Sequence, residues 1–251
     1  MKKIKELIIE HSVHILVLFF LTILLGSIGV GILVQKNPYL NSLDAFFYEA
    51  IHNGFHHPLI DTIMYPFNYN FLPTIVPSFF YILFSIFLIY MFIFKRSIFL
   101  WSIFCLIVGT FVAGFITSVD WHFVYRERPF MSLPNAVDDI GKNAWKDWSS
   151  FPSGHTRETA LYTTIMVGFI PKLKWFAIAF IIFIAYSRVY IGAHYPTDVI
   201  AGGLIGFFTA KFTLRLAREL QIIFNKIFKI KEGGTKDDAV PVQEKSDLKK
   251  D

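Results

Sequence analysis

Arg128-Pro129, then Pro152-Ser153-Gly154-His155, then Ser187-Arg188 followed by His194 and Asp198, are three short polar constellations in an otherwise oily chain. Together they supply two arginines, two histidines, a carboxylate and a Ser-Gly step suited to opening a helix. That is the inventory needed to move a phosphoryl group through a histidine. A phosphate ester carries up to two negative charges, and its transition state spreads charge over the equatorial oxygens. Catalysis there is mostly positioning and electrostatic stabilisation by preorganised donors. Arginine is the natural clamp, because its planar fork makes bidentate contacts and stays protonated, so Arg128 and Arg188 are candidate phosphate ligands. An arginine at the edge of a hydrophobic span is costly unless paired or watered, which makes function the default reading.

Ser153, Gly154 and His155 stand where an apolar run begins. A helix N-terminus offers unpaired N–H groups and partial positive charge to an anion. Gly154 lets the backbone approach an oxygen closely, Ser153 adds a hydroxyl, and Pro152 restrains the turn. The tetrapeptide alone also fits an ordinary turn; its company gives it weight. His194 and Asp198 are four apart, so a helix opening near Tyr195-Pro196 would bring the carboxylate toward the imidazole. A carboxylate bonded to one ring nitrogen would leave the other basic and aimed outward, as a nucleophile needs. His155 is then the candidate general acid, protonating the leaving alkoxide and later activating water.

The elements that must position these groups are hydrophobic. Of 251 residues, 54% are apolar and 17% charged, too oily for a soluble domain. The apolar residues fall in blocks near the ~20 residues of a spanning helix. Six spans are expected, near 13–35, 71–94, 98–119, 154–171, 173–191 and 198–220, making an all-α polytopic membrane domain over 1–230. The first run is too long for the hydrophobic core of a secretory signal and is read as a retained helix. Pro171 leaves almost no loop between the fourth and fifth spans, which predicts a tight antiparallel hairpin.

Lys2, Lys3, Lys5, Lys95, Arg96, Lys172, Lys174, Arg215, Arg218, Lys226 and Lys229 then fall on one side of the membrane. The positive-inside rule puts that side, and both termini, in the cytoplasm. All three constellations land together on the opposite, extracytoplasmic face, a result the charge count was not chosen to give.

Leu43, Phe46, Phe47, Ala50 and Ile51 keep helical rhythm, with Asp44, Glu49 and Asn53 on the other side. An amphipathic helix lying at the outer surface is expected. A polar outer loop should run from about Met131 to Trp148, with Trp145 and Trp148 as interfacial anchors. Residues 231–251 should be a disordered cytoplasmic tail. His52, His56 and His57 are read as surface histidines rather than a metal site, for lack of carboxylates or thiols at a ligand spacing. Cys105 is read as a buried small side chain. The net charge of +5 gathers at helix ends, which favours lipid headgroups and excludes a nucleic-acid face.

The order Arg-Pro, Pro-Ser-Gly-His, then Ser-Arg with His six residues after the Arg and Asp four beyond, resembles the type 2 phosphatidic acid phosphatase family. That superfamily includes phosphatidylglycerophosphate and undecaprenyl-diphosphate phosphatases and vanadium haloperoxidases. The resemblance covers the second half of the chain. It implies that Arg128, Ser153, Gly154 and Arg188 bind phosphate, His155 is the acid, His194 forms a phosphohistidine, and Asp198 supports it. No metal or other cofactor is implied; the partners are a lipid phosphate or diphosphate and the bilayer.

One departure stands out. The family's first motif has a lysine seven residues before the Arg of Arg-Pro, and here that position is Trp121. Arg126 or His122 could supply the missing cation, or the site could work with weaker affinity for phosphate. Arg157 and Glu158 are expected to pair with each other, the alternative being that Arg157 touches a second phosphate or a headgroup. A phosphotransferase using the same phosphohistidine differs only in its acceptor. A non-catalytic transport or lipid-binding protein on the same scaffold is the rival from another class. Haloperoxidase chemistry, which does not require six spans, is disfavoured.

Overall fold

The computed structural model describes residues 2–54, 57–64, 75–133, 149–227 and 240, with the backbone alone over 2–13 and 75–81. Most of the outer loop, at 134–148, and the tail other than Val240 lie outside the described residues, as does His56. All the regular structure among the described residues is helical: α1 (Lys2–Lys36), α2 (Pro38–His52), α3 (Pro58–Met64), α4 (Ile75–Phe94), α5 (Phe99–Phe123), α6 (Pro129–Ser132), α7 (Gly154–Phe169), α8 (Lys174–Tyr190) and α9 (Pro196–Ile227).

Among the described residues, four stretches are long and apolar enough to cross a membrane: His14–Lys36, Arg96–Phe123, Pro171–Tyr190 and Pro196–Ile227. The second expected span coincides with α4, described through its side chains only over Ile82–Phe94. The fourth coincides with α7, which is 16 residues long and enclosed by its neighbours. Large apolar side chains such as Leu18, Leu25, Phe111, Phe115, Ile182 and Ile200 point outward. So broad an exposed apolar surface belongs to a membrane protein.

Helix α7 is the hub, packed against α5, α8 and above all α9. Its buried Thr159 and Thr163 would be costly in an apolar core, but their hydroxyls donate to the carbonyls of His155 (2.8 Å) and Thr159 (2.6 Å), one turn back. Close approach of α9 depends on two glycines on one face. A Cβ on Gly202 would sit 2.3 Å from the Ser153 carbonyl oxygen, and one on Gly206 would sit 2.0 Å from that of Arg157. This small-residue spacing lets two helix backbones touch, as is common between membrane helices.

The hairpin expected at Pro171 forms: α7 ends at Phe169, a 3-10 turn covers Pro171–Leu173, and α8 starts at Lys174. By that alternation the end of α5, the start of α7, the end of α8 and the start of α9 share one end of the bundle.

Helix α2 is capped at Asn37, whose side-chain oxygen accepts from Tyr39 N–H (3.0 Å) and Leu40 N–H (3.2 Å), with Pro38 in the first turn. Its packing adds a buried face that the sequence did not mark. Leu43, Phe46 and Phe47 are exposed, whereas Asp44, Tyr48 and His52 are buried, one turn apart on the face that meets α8 and α9. His52 is therefore no surface histidine: its Nδ1 lies 2.6 Å from the Tyr190 carbonyl and its ring stacks on Tyr48. Of the polar side named from the sequence, Glu49 and Asn53 are exposed, and Asp44 alone of the three turns inward, with Tyr48 and His52. Val240, the described residue of the tail, is buried and donates its N–H to Gln221 Oε1 at 2.8 Å.

Candidate active site

The end of α8 fixes two of the groups. After Tyr190 the chain turns through Gly192, whose φ of 79° suits a residue without a Cβ. The Arg188 carbonyl accepts from both Ala193 N–H (3.0 Å) and His194 N–H (3.2 Å). The six-residue spacing of Arg188 and His194 thus becomes direct adjacency. Arg128 arrives from the α5–α6 connection. Its Nη1 donates to the Ala193 carbonyl (2.9 Å) and lies 3.3 Å from His194 Nε2. Arg128 and Arg188 are near enough to feel each other's charge. The imidazole of His155, in the first turn of α7, feels Arg188, His194, Arg128 and Arg157. The residues singled out from three separate stretches are brought to one place.

Ser153, fully buried, donates its N–H to the Asp198 carbonyl (3.0 Å), and its hydroxyl lies 3.1 Å from that of Thr156. Gly154 opens α7. The first-turn N–H groups of a helix have no partners within the helix and favour an anion at its mouth. Asp198 stands in the first turn of α9, and its Oδ2 reaches back to accept Tyr195 N–H at 2.9 Å, half of a capping box.

His194 differs in detail from the expectation. Asp198 Oδ2 is 3.8 Å from Nδ1, too long for a hydrogen bond. The group that engages Nδ1 is the Ser150 carbonyl, at 2.7 Å, which requires the proton on Nδ1 and leaves Nε2 with its lone pair. Ser150 also donates its hydroxyl to Asp198 Oδ2 at 2.5 Å. Nothing in the sequence marks a main-chain oxygen as the orienter. Burial, and then the charge of Arg128, lower the His194 imidazole from 6.5 to about 4 against the pull of Asp198 and Ser150. It is neutral at physiological pH. Burial also lowers Arg128, to about 10, which leaves it a cation.

The auxiliary cations fall elsewhere. Arg126 is committed to carboxylates: Nη1 donates to Asp198 Oδ1 and Nη2 to Asp44 Oδ2, each at 2.7 Å. Burial opposes its charge, but Asp198 and Asp44 outweigh burial and raise it above its ordinary value. It therefore does not take the place of the missing lysine at the anion site. His122 is exposed at the end of α5 with its ring against Phe123, beside the exposed Trp121. Arg157 pairs with Glu158 (2.8 Å) and donates to the Thr117 hydroxyl, facing α5. Asp44 was read only as part of the polar side of an amphipathic helix. Its spacing of four from Tyr48 and eight from His52 was the available signal that this face is buried.

Residues 102–222 match the family model described as the PAP2 superfamily. The chain is 30% identical over 138 residues to undecaprenyl-diphosphatase BcrC of Bacillus subtilis, covering 48% of this chain and 66% of that one. It is 33% identical over 96 residues to the bacitracin transport permease protein BcrC of Bacillus licheniformis, covering 38% and 46%. The chain thus spans less than two thirds of the length of these curated relatives. Among solved structures it is similar to Aquifex aeolicus LpxE, with a TM-score of 0.52 and 28% identity, over 69% of this chain and 95% of that one.

Proposed function

We propose that the chain, whose residues 102–222 match the PAP2 superfamily, is an integral-membrane, metal-independent lipid phosphatase of that superfamily working through a phosphohistidine. The observation that carries the reading is the meeting of Arg128, Arg188, His155 and His194 at one end of the helix bundle. The substrate is a lipid phosphate or diphosphate: undecaprenyl diphosphate, phosphatidylglycerophosphate or phosphatidate. The domain crosses the membrane six times, with both termini cytoplasmic, the site facing outward and α2 at the outer surface.

Phosphate lies between Arg128 and Arg188 and against the start of α7, with Ser153 and Gly154 shaping the turn. His194 Nε2 attacks phosphorus in line, a nitrogen–phosphorus bond forms, and the bond to the leaving oxygen breaks. His155 gives that oxygen its proton. The guanidinium charges stabilise the equatorial oxygens, while Asp198 and the Ser150 carbonyl offset the positive charge that grows on the imidazole. A water then attacks phosphorus, yields a proton to His155, and the nitrogen–phosphorus bond breaks to free phosphate. Proximity of a phosphate dianion favours the protonated form of His155, as the acid role requires.

The test is phosphate release from the three lipids in detergent or liposomes. His194→Ala and Arg188→Ala should each abolish release, and EDTA should leave it intact. Wild-type turnover by His194→Ala would reject the mechanism. A second reading, a transport or lipid-binding role on the same scaffold, draws on Trp121 and on the permease name of one relative. Orthovanadate mimics five-coordinate phosphorus, and its failure to bind the purified protein would favour that reading. A phosphotransferase would show labelled phosphate passing to an added hydroxyl acceptor.

A further inference from the structure

Helix α2 precedes the matched family region, yet it delivers a buried carboxylate to within three links of the proposed nucleophile. Asp44 is 2% exposed. Its Oδ2 accepts from Arg126 Nη2 at 2.7 Å and from the Thr197 hydroxyl, while Oδ1 accepts Thr197 N–H at 3.0 Å. Arg126 spends its other terminal nitrogen on Asp198 Oδ1 (2.7 Å) and Thr197 Oγ1 (2.9 Å). Its guanidinium carbon lies 4.0 Å over the Tyr195 ring. Asp198 continues the chain to Ser150 and to the imidazole. The order is carboxylate, guanidinium, carboxylate, imidazole, contributed in turn by α2, the α5–α6 connection, α9 and the turn before α9.

We infer that Asp44 is a positioning residue for the proposed histidine chemistry, acting on His194 through Arg126 and Asp198. The inference rests on the phosphatase reading. Its physical content is a charge count. With Asp44 present, Arg126 is neutralised from the α2 side, and Asp198 keeps its negative charge for the imidazole. Without Asp44, Arg126 and Asp198 neutralise each other. The nitrogen that must gain positive charge would then face Arg128 on the α5–α6 connection, Arg188 on α8 and His155 on α7, with little to offset them. An opposite charge lost at this range weakens the charged form, and the nucleophile with it. Bidentate sharing also fixes direction, because a guanidinium held at both ends cannot swing Asp198 away from Ser150.

Asp44→Asn keeps the shape and removes the charge. Its kcat on the best lipid substrate should fall on the order of tenfold to a hundredfold, with Asp44→Glu recovering part of the loss. Vanadate affinity should change less than about threefold, because Arg128 and Arg188 are untouched. A merely structural role for Asp44 predicts a different split: less folded protein, but unchanged kcat per vanadate-titrated site. His52→Ala separates the two, since His52 docks α2 on the Tyr190 carbonyl without joining the charge chain. It should lower thermal stability and leave kcat per site intact. Wild-type kcat per site in Asp44→Asn, or an equal kcat loss in His52→Ala, overturns the inference while the phosphatase reading stands. A wild-type chain that turns over none of the lipids overturns both.

Discussion

Gly202→Ala adds one methyl group, and the structure says where it would go. The new Cβ would begin 2.3 Å from the Ser153 carbonyl oxygen and 3.2 Å from its carbon. The obstacle is main chain at the mouth of α7, which cannot swing aside like a flexible side chain. Restoring ordinary contact near 3.4 Å requires α9 and α7 to part by about 1 Å at that level. Overpacking of this kind costs about 1–3 kcal/mol of stability. Activity should suffer more, because the two helices carry different parts of the proposed site: Ser153 and His155 on α7, Asp198 on α9. The Ser153 N–H bond to the Asp198 carbonyl crosses the same seam. A misplacement of about 1 Å between reacting groups can cost on the order of a hundredfold.

The assay is phosphate release per folded protein, with folding checked by thermal melts in detergent. Gly203→Ala is the neighbouring control, since its Cβ meets just the Thr156 methyl, at 3.6 Å, an ordinary contact. Gly114→Ala is a second, with nothing within 4 Å. Both should stay within about threefold of wild type. A Gly202→Ala protein with wild-type turnover, or a Gly203→Ala protein damaged as badly, would refute the argument that α9 sets the geometry of the α7 mouth.

The remaining expectations concern stability. His194 is held at about 4 when folded and titrates near 6.5 when unfolded, so the unfolded chain gains its proton first as pH falls. The associated stability is complete above pH ~6.5 and is lost on the way down to ~4, by up to about 3 kcal/mol. Thermal midpoints between about pH 7 and pH 4.5 should therefore fall further for wild type than for His194→Gln, and parallel curves would contradict the assignment. Ser27→Ala removes the hydroxyl that donates to buried Asp120 Oδ1 at 2.9 Å, which should cost about 1–3 kcal/mol. On an Asp120→Leu background the same change should be nearly neutral, and additive losses would show that the bond does not carry the cost.

The spacing within the candidate site was legible in the sequence because it is local physics. Six residues from Arg188 to His194 are what one helix end and one glycine turn need, and four from His194 to Asp198 span the entry into the next helix. Antiparallel packing of α7, α8 and α9 then brings the three constellations to one end of the bundle. What stayed hidden is what depends on a third partner. The Ser150 carbonyl has no side-chain signature, so the group that sets the His194 tautomer cannot be read from residue types. Gly202 and Gly206 were present as a four-residue spacing, but their meaning lies in the helix opposite. Asp44 was misread for a similar reason. It was grouped with Glu49 and Asn53 on the polar side of a surface helix, but those two are exposed while Asp44 meets the core beside Tyr48 and His52. A carboxylate can be buried there because Arg126 waits for it, and Arg126 is buried because two carboxylates do. Neither residue is explicable alone, and the pair becomes visible once α2 is docked against α9.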